Sequence, residues 1–229
     1  KVRREHVSAE AFYVVLGLTE TMQREVLAIA SIPSESAAGW QQLLADLKAR
    51  GLEETCLVVA DGLPGLDEAI HQSFPAARHQ KCVTHLKRNI LAYVKADHKE
   101  QIAGELRQVF MTGQQAYSPA QARQKLDAFA KRWGRHYEHI AKLPDKEDLH
   151  YYFTYLDFDW QIQAMIYTTN WVERLNKSFR RSLKIRNALP NPQAALLLLT
   201  KVAVDIEERV YQFPIYNFKF DQTLFPKAT

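Results

Sequence analysis

The sequence has little of the material that marks secreted or membrane-embedded proteins. Only two of its 229 residues are cysteine, Cys56 and Cys82, which argues against a disulfide framework and fits a reducing cytosol. Uninterrupted apolar runs such as residues 194–199 are far shorter than the roughly 20 residues that a membrane-spanning helix needs. We therefore predict a cytoplasmic protein without a membrane partner.

Three motifs of common enzyme classes are also absent from the sequence. It contains no glycine-rich phosphate loop, no G-x-S-x-G nucleophile elbow and no H-E-x-x-H zinc motif. Each of these motifs places a specific group at a reacting centre, a phosphate cradle, a nucleophile or a metal ligand pair. The sequence therefore gives little support to the enzyme families that these three motifs mark.

The composition is that of a globular protein with a mildly basic balance. Hydrophobic residues make up 47% of the chain and charged residues 24%, which is enough for a sizeable core. Lysine and arginine total 30 against 26 acidic residues, giving a net charge of +4. This balance permits a polyanionic partner but does not demand one. The distribution of the cations along the chain therefore has to show whether the protein binds such a partner.

The hydrophobic patterns predict a mixed α/β fold. Residues 12–18 and 26–30 read as strands and, with an earlier strand in residues 1–7, would form an antiparallel meander. Helical spacing follows in residues 36–51, which ends at Gly51, and in residues 64–74. The last elements of this part are strands at residues 56–60 and 79–83. The order predicts a mixed sheet with helices on its faces.

A helical block separates this sheet from two final helices. The block predicts a division into residues 1–85 (first part of the core), 86–165 (an all-α insertion) and 166–229 (last part of the core). The final helices are predicted at residues 170–186 and 191–211, and the tail after residue 213 is expected to pack across the surface. One helix face of the insertion carries an aromatic and aliphatic stripe that we interpret as core packing: Leu126, Phe129, Trp133, Tyr137 and Ile140.

Asp61 is the first candidate for chemistry, because it follows directly on the apolar strand at residues 56–60. Ligands of α/β sheets gather at the carboxyl ends of strands, which favours a functional carboxylate there. A turn aspartate before Gly62, or a helix N-cap, explains the same position equally well.

Glu173 is the second candidate, near the start of the helix at residues 170–186. With Asn170 as N-cap, Glu173 has the spacing of a capping box, which would be a purely structural role. The rest of the helix carries a row of cations, which is usually a solvated basic face. Such a row also favours chemistry, because cations can hold DNA phosphates while a carboxylate holds a metal ion. The cations of that row are Lys177, Arg180, Arg181, Lys184 and Arg186.

Cys82 and His85 have the C-x-x-H spacing of half a zinc site. His136 and His139 could supply the other half, which would make the protein a zinc hydrolase. Alternatively, Cys82 is buried near the sheet end and His85 begins the next helix, with His85, Lys87 and Arg88 facing DNA.

Three segments resemble the Mutator-type transposases of bacterial insertion sequences. They are ADGLPGL at residues 60–66, QKCVTHLKRN at residues 80–89 and IYTTNWVERLN at residues 166–176. The resemblance runs in one order over nearly the whole chain. It implies a ribonuclease-H-like fold, a mixed sheet flanked by helices with an all-α insertion before the last catalytic acid.

The resemblance also implies an Asp-Asp-Glu triad that binds Mg²⁺ or Mn²⁺, with Asp61 as the second acid and Glu173 as the third. The first Asp is expected a few residues before a segment like the one at Lys1, so we expect this chain to lack it and to be inactive alone. Cys82, His85 and Asn170 belong to the family's signature, and the first two are expected to shape the site. Trp133 matches a tryptophan that could help to hold DNA.

The implied function is cleavage at transposon ends followed by strand transfer into target DNA. The implied partners are both DNAs and further copies of the chain assembled on them, in the bacterial cytoplasm at the nucleoid. The alternative from another class is a ribonuclease-H-like module that binds nucleic acid or assists assembly without catalysis.

Overall fold

The structure is a computed structural model that describes residues 2–3, 7–8, 11–31, 37–186 and 189–215. It is a mixed α/β structure and 58% helical. The strands are β1 (Val2–Arg3), β2 (Val7–Ser8), β3 (Phe12–Leu18), β4 (Arg24–Ser31), β5 (Leu57–Ala60) and β6 (Arg78–Lys81). The α-helices are α1 (Ala37–Ala49), α2 (Leu66–Ser73), α3 (Val83–Ala92), α4 (Ala96–Val109), α5 (Pro119–Trp133), α6 (Glu138–Ala141), α7 (Gln163–Ile166), α8 (Asn170–Ile185) and α9 (Pro192–Ile206).

The chain divides into two compact units, neither of which is continuous in sequence. Of the described residues, the first contains those up to residue 53, residues 63–75 and residues 170–215. The second contains residues 54–62 and 76–169. The predicted division into a sheet core and a helical insertion stays a prediction.

The strands of the first unit form two antiparallel pairs, β1 with β2 and β3 with β4. The β3–β4 turn is closed by hydrogen bonds between Thr19 and Gln23, including one from the Thr19 amide to the Gln23 carbonyl at 2.9 Å. The antiparallel pairing predicted for the start of the chain is therefore present, but within the described residues it forms separate pairs rather than one meander.

Helix α1 confirms the helical spacing predicted for residues 36–51. Its apolar positions are buried, as the spacing requires, at Trp40, Leu43, Leu44 and Leu47. The helix is capped by Gly51, which lies just after it and whose φ of +104° is in the left-handed region. The Leu52 amide donates to the Leu47 carbonyl and the Gly51 amide donates to the Lys48 carbonyl, so the predicted glycine C-cap is a Schellman motif.

Helices α8 and α9 pack on the β3–β4 hairpin and complete the core of the first unit. The fully buried members of this core are Leu175, Phe179, Leu199 and Ala203. The helix predicted to run to residue 211 is a regular α-helix only as far as Ile206, the end of α9. It then continues as a single π-helical turn, Glu207–Tyr211. Glu207 Oε1 accepts a hydrogen bond from the Val26 amide at 2.6 Å, which fixes this turn to β4.

The second unit pairs β5 with β6 in parallel and surrounds them with helices. The helical pattern predicted for residues 86–166 is confirmed by α3 to α7 and by three short 3₁₀ turns between α6 and α7. The predicted stripe of the insertion is buried at all five positions, Leu126, Phe129, Trp133, Tyr137 and Ile140. Core packing was therefore the correct interpretation of that stripe.

Two further expectations concern the ribonuclease-H-like sheet and the C-terminal tail. The described strands lie in three two-stranded sheets, so the ribonuclease-H-like sheet stays a prediction. Most of the tail that was expected to pack across the surface, residues 216–229, lies outside the described residues. Among the helices that are described, none is both long enough and apolar enough to cross a membrane.

Candidate functional site

The parallel pairing of β5 and β6 brings Asp61 and Cys82 to one sheet edge. Ala60 pairs with Lys81 in the register of the two strands, and the Cys82 amide donates to the Ala60 carbonyl at 2.8 Å. Asp61 and Cys82 are the residues that immediately follow the two strands. Because both strands run in the same direction, both side chains leave the carboxyl edge, where α/β sheets place their functional groups.

His85 contacts Asp61 from the first turn of α3. This helix begins at Val83, directly after Cys82, so the residue three positions after Cys82 lies one helical turn further on. The His85 Nδ1 atom is 2.7 Å from the Asp61 Oδ1 atom. The C-x-x-H spacing therefore serves to bring an imidazole against the carboxylate at the neighbouring strand end.

Thr169 contacts the same carboxylate from the segment that precedes α8. Its hydroxyl donates to Asp61 Oδ1 at 3.0 Å. The segment is anchored to the start of α3, because the Val83 amide donates to the Tyr167 carbonyl at 3.0 Å and Thr84 donates to the Thr168 hydroxyl at 3.2 Å. Three chain segments distant in sequence thus meet at Asp61.

The Cys82 thiol lies beneath this contact and is 1% exposed. Its sulfur is 3.3 Å from the Thr169 hydroxyl oxygen and 3.5 Å from the Thr169 amide nitrogen. Thr169 has one hydroxyl proton, and the Asp61 carboxylate is the stronger acceptor for it. We therefore assign the Thr169 hydroxyl proton to the hydrogen bond that Thr169 donates to Asp61. The Thr169 oxygen then accepts a hydrogen bond from the Cys82 thiol.

The donor atoms of Asp61, Cys82 and His85 all lie within 4.8 Å of one another. Oxygen, sulfur and nitrogen together are ligands that zinc accepts, whereas Mg²⁺ prefers oxygen alone. The thiol and the imidazole already contact Thr169 and Asp61, which suits them to hold the carboxylate in place. The Asp61 side chain is 40% exposed, and Oδ2 has no hydrogen-bond partner in the described ranges. This oxygen fits a hard cation.

His136 and His139 do not join that group to make a four-ligand zinc site. The His139 Nε2 atom lies 3.2 Å from the Ile90 carbonyl oxygen, and the His136 ring packs 5.9 Å from His98. All of these residues are described, and the only metal-ligand group that the described chain forms is the one at Asp61.

Helix α8 carries the predicted cation row on its exposed side. Leu175 and Phe179 are buried against the β3–β4 hairpin, so the opposite side faces outward. The cations of this row are all exposed, and none of them forms an ion pair with another described residue: Lys177, Arg180, Arg181, Lys184 and Arg186. Glu173 is partly buried in the first turn, and its assignment as metal ligand or capping residue stays a prediction.

The other two residues predicted to contact DNA differ in their exposure. Arg88, on α3, is exposed. Trp133 is 6% exposed and packs 5.2 Å from the His98 ring, as the core interpretation of its stripe requires. A contact between Trp133 and DNA stays a prediction.

Sequence reasoning did not single out Thr169. The segment IYTTNWVERLN contributed to the resemblance, but nothing in it shows that one of two consecutive threonines contacts Asp61, 108 positions earlier in the chain. The available signal was weak: a polar pair directly in front of a helix, close to a buried cysteine.

These observations define a mixed α/β protein with a carboxylate held by an imidazole and a hydroxyl at a sheet edge, and with a separate basic helix. The profile of the Mutator family of transposases matches residues 1–212. The chain therefore belongs to the Mutator family of transposases.

Individual relatives agree with this membership. The chain is 35% identical to the transposase for insertion sequence element IS1201 of Lactobacillus helveticus, over 84% of this chain and 51% of that protein. It is 32% identical to the transposase for IS905 of Lactococcus lactis, over 97% of this chain and 53% of the relative. The chain thus spans about half the length of the curated relatives that it matches.

Proposed function

We propose that this chain is the catalytic core of a DDE-type DNA transposase, in which Asp61 and Glu173 hold Mg²⁺ or Mn²⁺. The observation that carries the proposal is the arrangement at Asp61. One carboxylate oxygen is engaged by His85 and Thr169, and the other has no partner among the described residues. A carboxylate fixed through one oxygen is well placed to offer the second to a divalent cation.

The metal would be the source of the cleavage chemistry. When bound, Mg²⁺ activates an attacking oxygen and stabilises the leaving oxygen of a phosphodiester. Asp61 and Glu173 would supply the negative charge that retains the ion. His85 and Thr169 orient Asp61, and Cys82 holds Thr169. The outcome is cleavage at the transposon end, after which the freed 3′-hydroxyl attacks target DNA.

The wider setting of this reaction belongs to the same proposal. The chain would form a ribonuclease-H-like core, work as a homo-oligomer assembled on DNA, and act at the bacterial nucleoid. A further Asp would complete the triad. Because about half of each relative lies outside the matched region, these properties concern the whole protein.

Metal dependence tests the proposal directly. The intact protein is incubated with DNA that carries the element's ends, with Mg²⁺, Mn²⁺, Zn²⁺ or a chelator. We expect strand cleavage with Mg²⁺ and Mn²⁺ and none with the chelator, because the activating charge is then gone. Cleavage that persists in the chelator would contradict the proposal. Binding of DNA without cleavage in any metal would favour the non-catalytic module.

The cation row of α8 is expected to bind DNA phosphates. Each phosphate that a cation neutralises adds about 0.9 to the slope of log affinity against log salt. Replacing both Arg180 and Arg181 by Ala should therefore lower the slope by up to about 1.8. The measurement is duplex binding by fluorescence anisotropy over a salt series.

Arg123 provides the control for that measurement. It is exposed, like Arg180, but it forms an ion pair with Asp127 at 3.0 Å, so Arg123→Ala should leave the slope unchanged. An unchanged slope in the variant of Arg180 and Arg181 would mean that these side chains do not contact DNA.

A further inference from the structure

Three different kinds of metal ligand converge at the carboxyl edge of β5 and β6. One donor atom from each of Asp61, Cys82 and His85 lies within 4.8 Å of the other two. The hydroxyl oxygen of Thr169 contacts two of these atoms, at 3.0 Å from Asp61 Oδ1 and 3.3 Å from the Cys82 sulfur. A single small atom therefore already touches the carboxylate and the thiol together.

The spacing of the three donors is close to that of a zinc site. Zn²⁺ binds oxygen and nitrogen at about 2.0–2.2 Å and sulfur at about 2.3 Å, so two tetrahedral ligands lie about 3.3–3.7 Å apart. The longest separation in the group is at most 4.8 Å, and the shortest is the 2.7 Å between His85 and Asp61. Each therefore has to change by only about 1 Å or less. The Asp61 and His85 side chains are 40% and 27% exposed, so they can turn by this much without disturbing the core.

The Cys82 sulfur is the fixed member of the group. The Cys82 amide donates to the Ala60 carbonyl at 2.8 Å, and the sulfur accepts from the Thr169 amide at 3.5 Å. The side chain is also 1% exposed, so it forms the floor of the group beneath the two more exposed ligands. Sulfur and imidazole nitrogen are ligands that Zn²⁺ favours, whereas Mg²⁺ takes oxygen ligands. The donor set therefore selects Zn²⁺ over Mg²⁺.

We propose that Asp61, Cys82 and His85 bind one Zn²⁺ ion, and that this ion inhibits the enzyme. Three protein ligands leave one tetrahedral position for a water molecule, which can enter on the exposed side of Asp61. The thiol proton passes to the buffer when the ion binds, and the hydrogen bond from the thiol to Thr169 is lost. The inhibition rests on the proposed function, whereas the zinc site itself does not.

Zn²⁺ at this site removes the attraction of Asp61 for Mg²⁺. Without zinc, the carboxylate contributes one negative charge. With Zn²⁺, a thiolate and a neutral imidazole, the group has no net charge, because the two positive charges of the ion cancel those of the carboxylate and the thiolate. A second divalent ion at the other oxygen of Asp61 is then repelled by the first. Cleavage that depends on Mg²⁺ therefore stops when zinc is bound.

Co²⁺ is the probe for the site, because a bond between cobalt and a thiolate absorbs in the near ultraviolet whereas Zn²⁺, a d¹⁰ ion, does not. The whole 229-residue chain is freed of metal with a chelator and titrated with Co²⁺ in the absence of DNA and Mg²⁺. We expect the thiolate band to saturate at one ion per chain and to disappear when Zn²⁺ is added. Cys82→Ser should abolish the band. The matched control is Cys56→Ser, which removes the exposed cysteine and should leave the band unchanged.

The affinity for Zn²⁺ is measured by competition with a chromophoric chelator. Groups that only orient a ligand contribute about 10–100-fold to metal affinity, so His85→Ala, which removes a ligand, should weaken binding by at least about 100-fold. His136 is exposed and lies outside the group, so His136→Ala should bind zinc like the parent. Thermal unfolding without metal establishes that each variant is folded. Zn²⁺ should raise the unfolding temperature of the parent and not that of Cys82→Ser.

The inhibition is measured with the intact protein and DNA that carries the element's ends. The Zn²⁺ concentration that removes half of the cobalt band should also halve the cleavage supported by Mg²⁺. A missing band, or a band that survives in Cys82→Ser, would overturn the site. Full cleavage at saturating Zn²⁺ would overturn the inhibition. The binding readouts do not involve cleavage, so a saturable cobalt band in a protein that cleaves nothing with Mg²⁺ would count against the proposed function alone.

Discussion

Replacing Glu173 by Gln in the intact protein is expected to abolish strand transfer while leaving DNA binding in place. Glutamine keeps the shape of the side chain but removes the negative charge that would retain a divalent ion. The loss of a metal worth several kcal/mol of transition-state stabilisation corresponds to about three orders of magnitude in rate. Asp61→Asn should give a loss of the same order. The measurements are strand transfer with Mg²⁺ and duplex binding by anisotropy.

This substitution separates the two interpretations of Glu173. A capping box accepts Gln as readily as Glu at its last position, so a capping residue would tolerate Glu173→Gln in both stability and activity. Glu147 is exposed and Glu147→Gln serves as the control, with full activity expected. Full strand transfer by Glu173→Gln would show that Glu173 is a capping residue, and the non-catalytic module would then be the better description.

Thr169→Val is expected to produce the second largest effect. Valine has nearly the volume of threonine but lacks the hydroxyl that Thr169 donates to Asp61 at 3.0 Å. Groups that orient a metal ligand through such a bond contribute about 10–100-fold to metal affinity or activity. We therefore expect the Mg²⁺ concentration for half-maximal cleavage to rise by about 10–100-fold. Thr169→Ser retains the hydroxyl and should restore the parent value.

The neighbouring threonine provides the matched control for this experiment. Thr168 is buried and takes part in the same network, through Thr84 at 3.2 Å and Cys82 at 3.6 Å. It has no hydrogen bond to Asp61, so Thr168→Val should leave the metal requirement unchanged even where it lowers stability. Equal shifts in both variants would mean that the network stabilises the fold without orienting the carboxylate.

Local patterns were sufficient to predict much of this structure. Apolar periodicity located α1 and α8 within one or two residues, because side chains on one helix face recur every three or four positions. The apolar strand before Asp61 placed that carboxylate at a strand end, where the structure has it. The C-x-x-H spacing identified Cys82 and His85 as a pair, because strand end and first helical turn are close in sequence.

Contacts between distant segments could not be predicted in the same way. The bond between Thr169 and Asp61 depends on the parallel pairing of β5 with β6 and on the anchoring of Tyr167 to Val83. The Lys87 ammonium likewise lies 5.4 Å from the centroid of the Phe110 ring and 5.6 Å from that of the Tyr167 ring, and no periodicity relates these residues. The separation of the first strands into pairs is likewise a tertiary outcome, since all of them have ordinary strand patterns.

The discontinuity of the two units determines the order in which they can form during synthesis. Residues 54–62 and 76–169 are complete before α8 and α9 exist, whereas the core of the first unit requires Leu175, Phe179, Leu199 and Ala203. At about 5–20 residues per second, the ribosome needs about 2–7 s to pass from Thr169 to the end of α9. These residues of the second unit can therefore fold before the core of the first unit is complete. The apolar face of the β3–β4 hairpin, which α8 and α9 cover in the finished unit, meanwhile stays uncovered and exposed to aggregation.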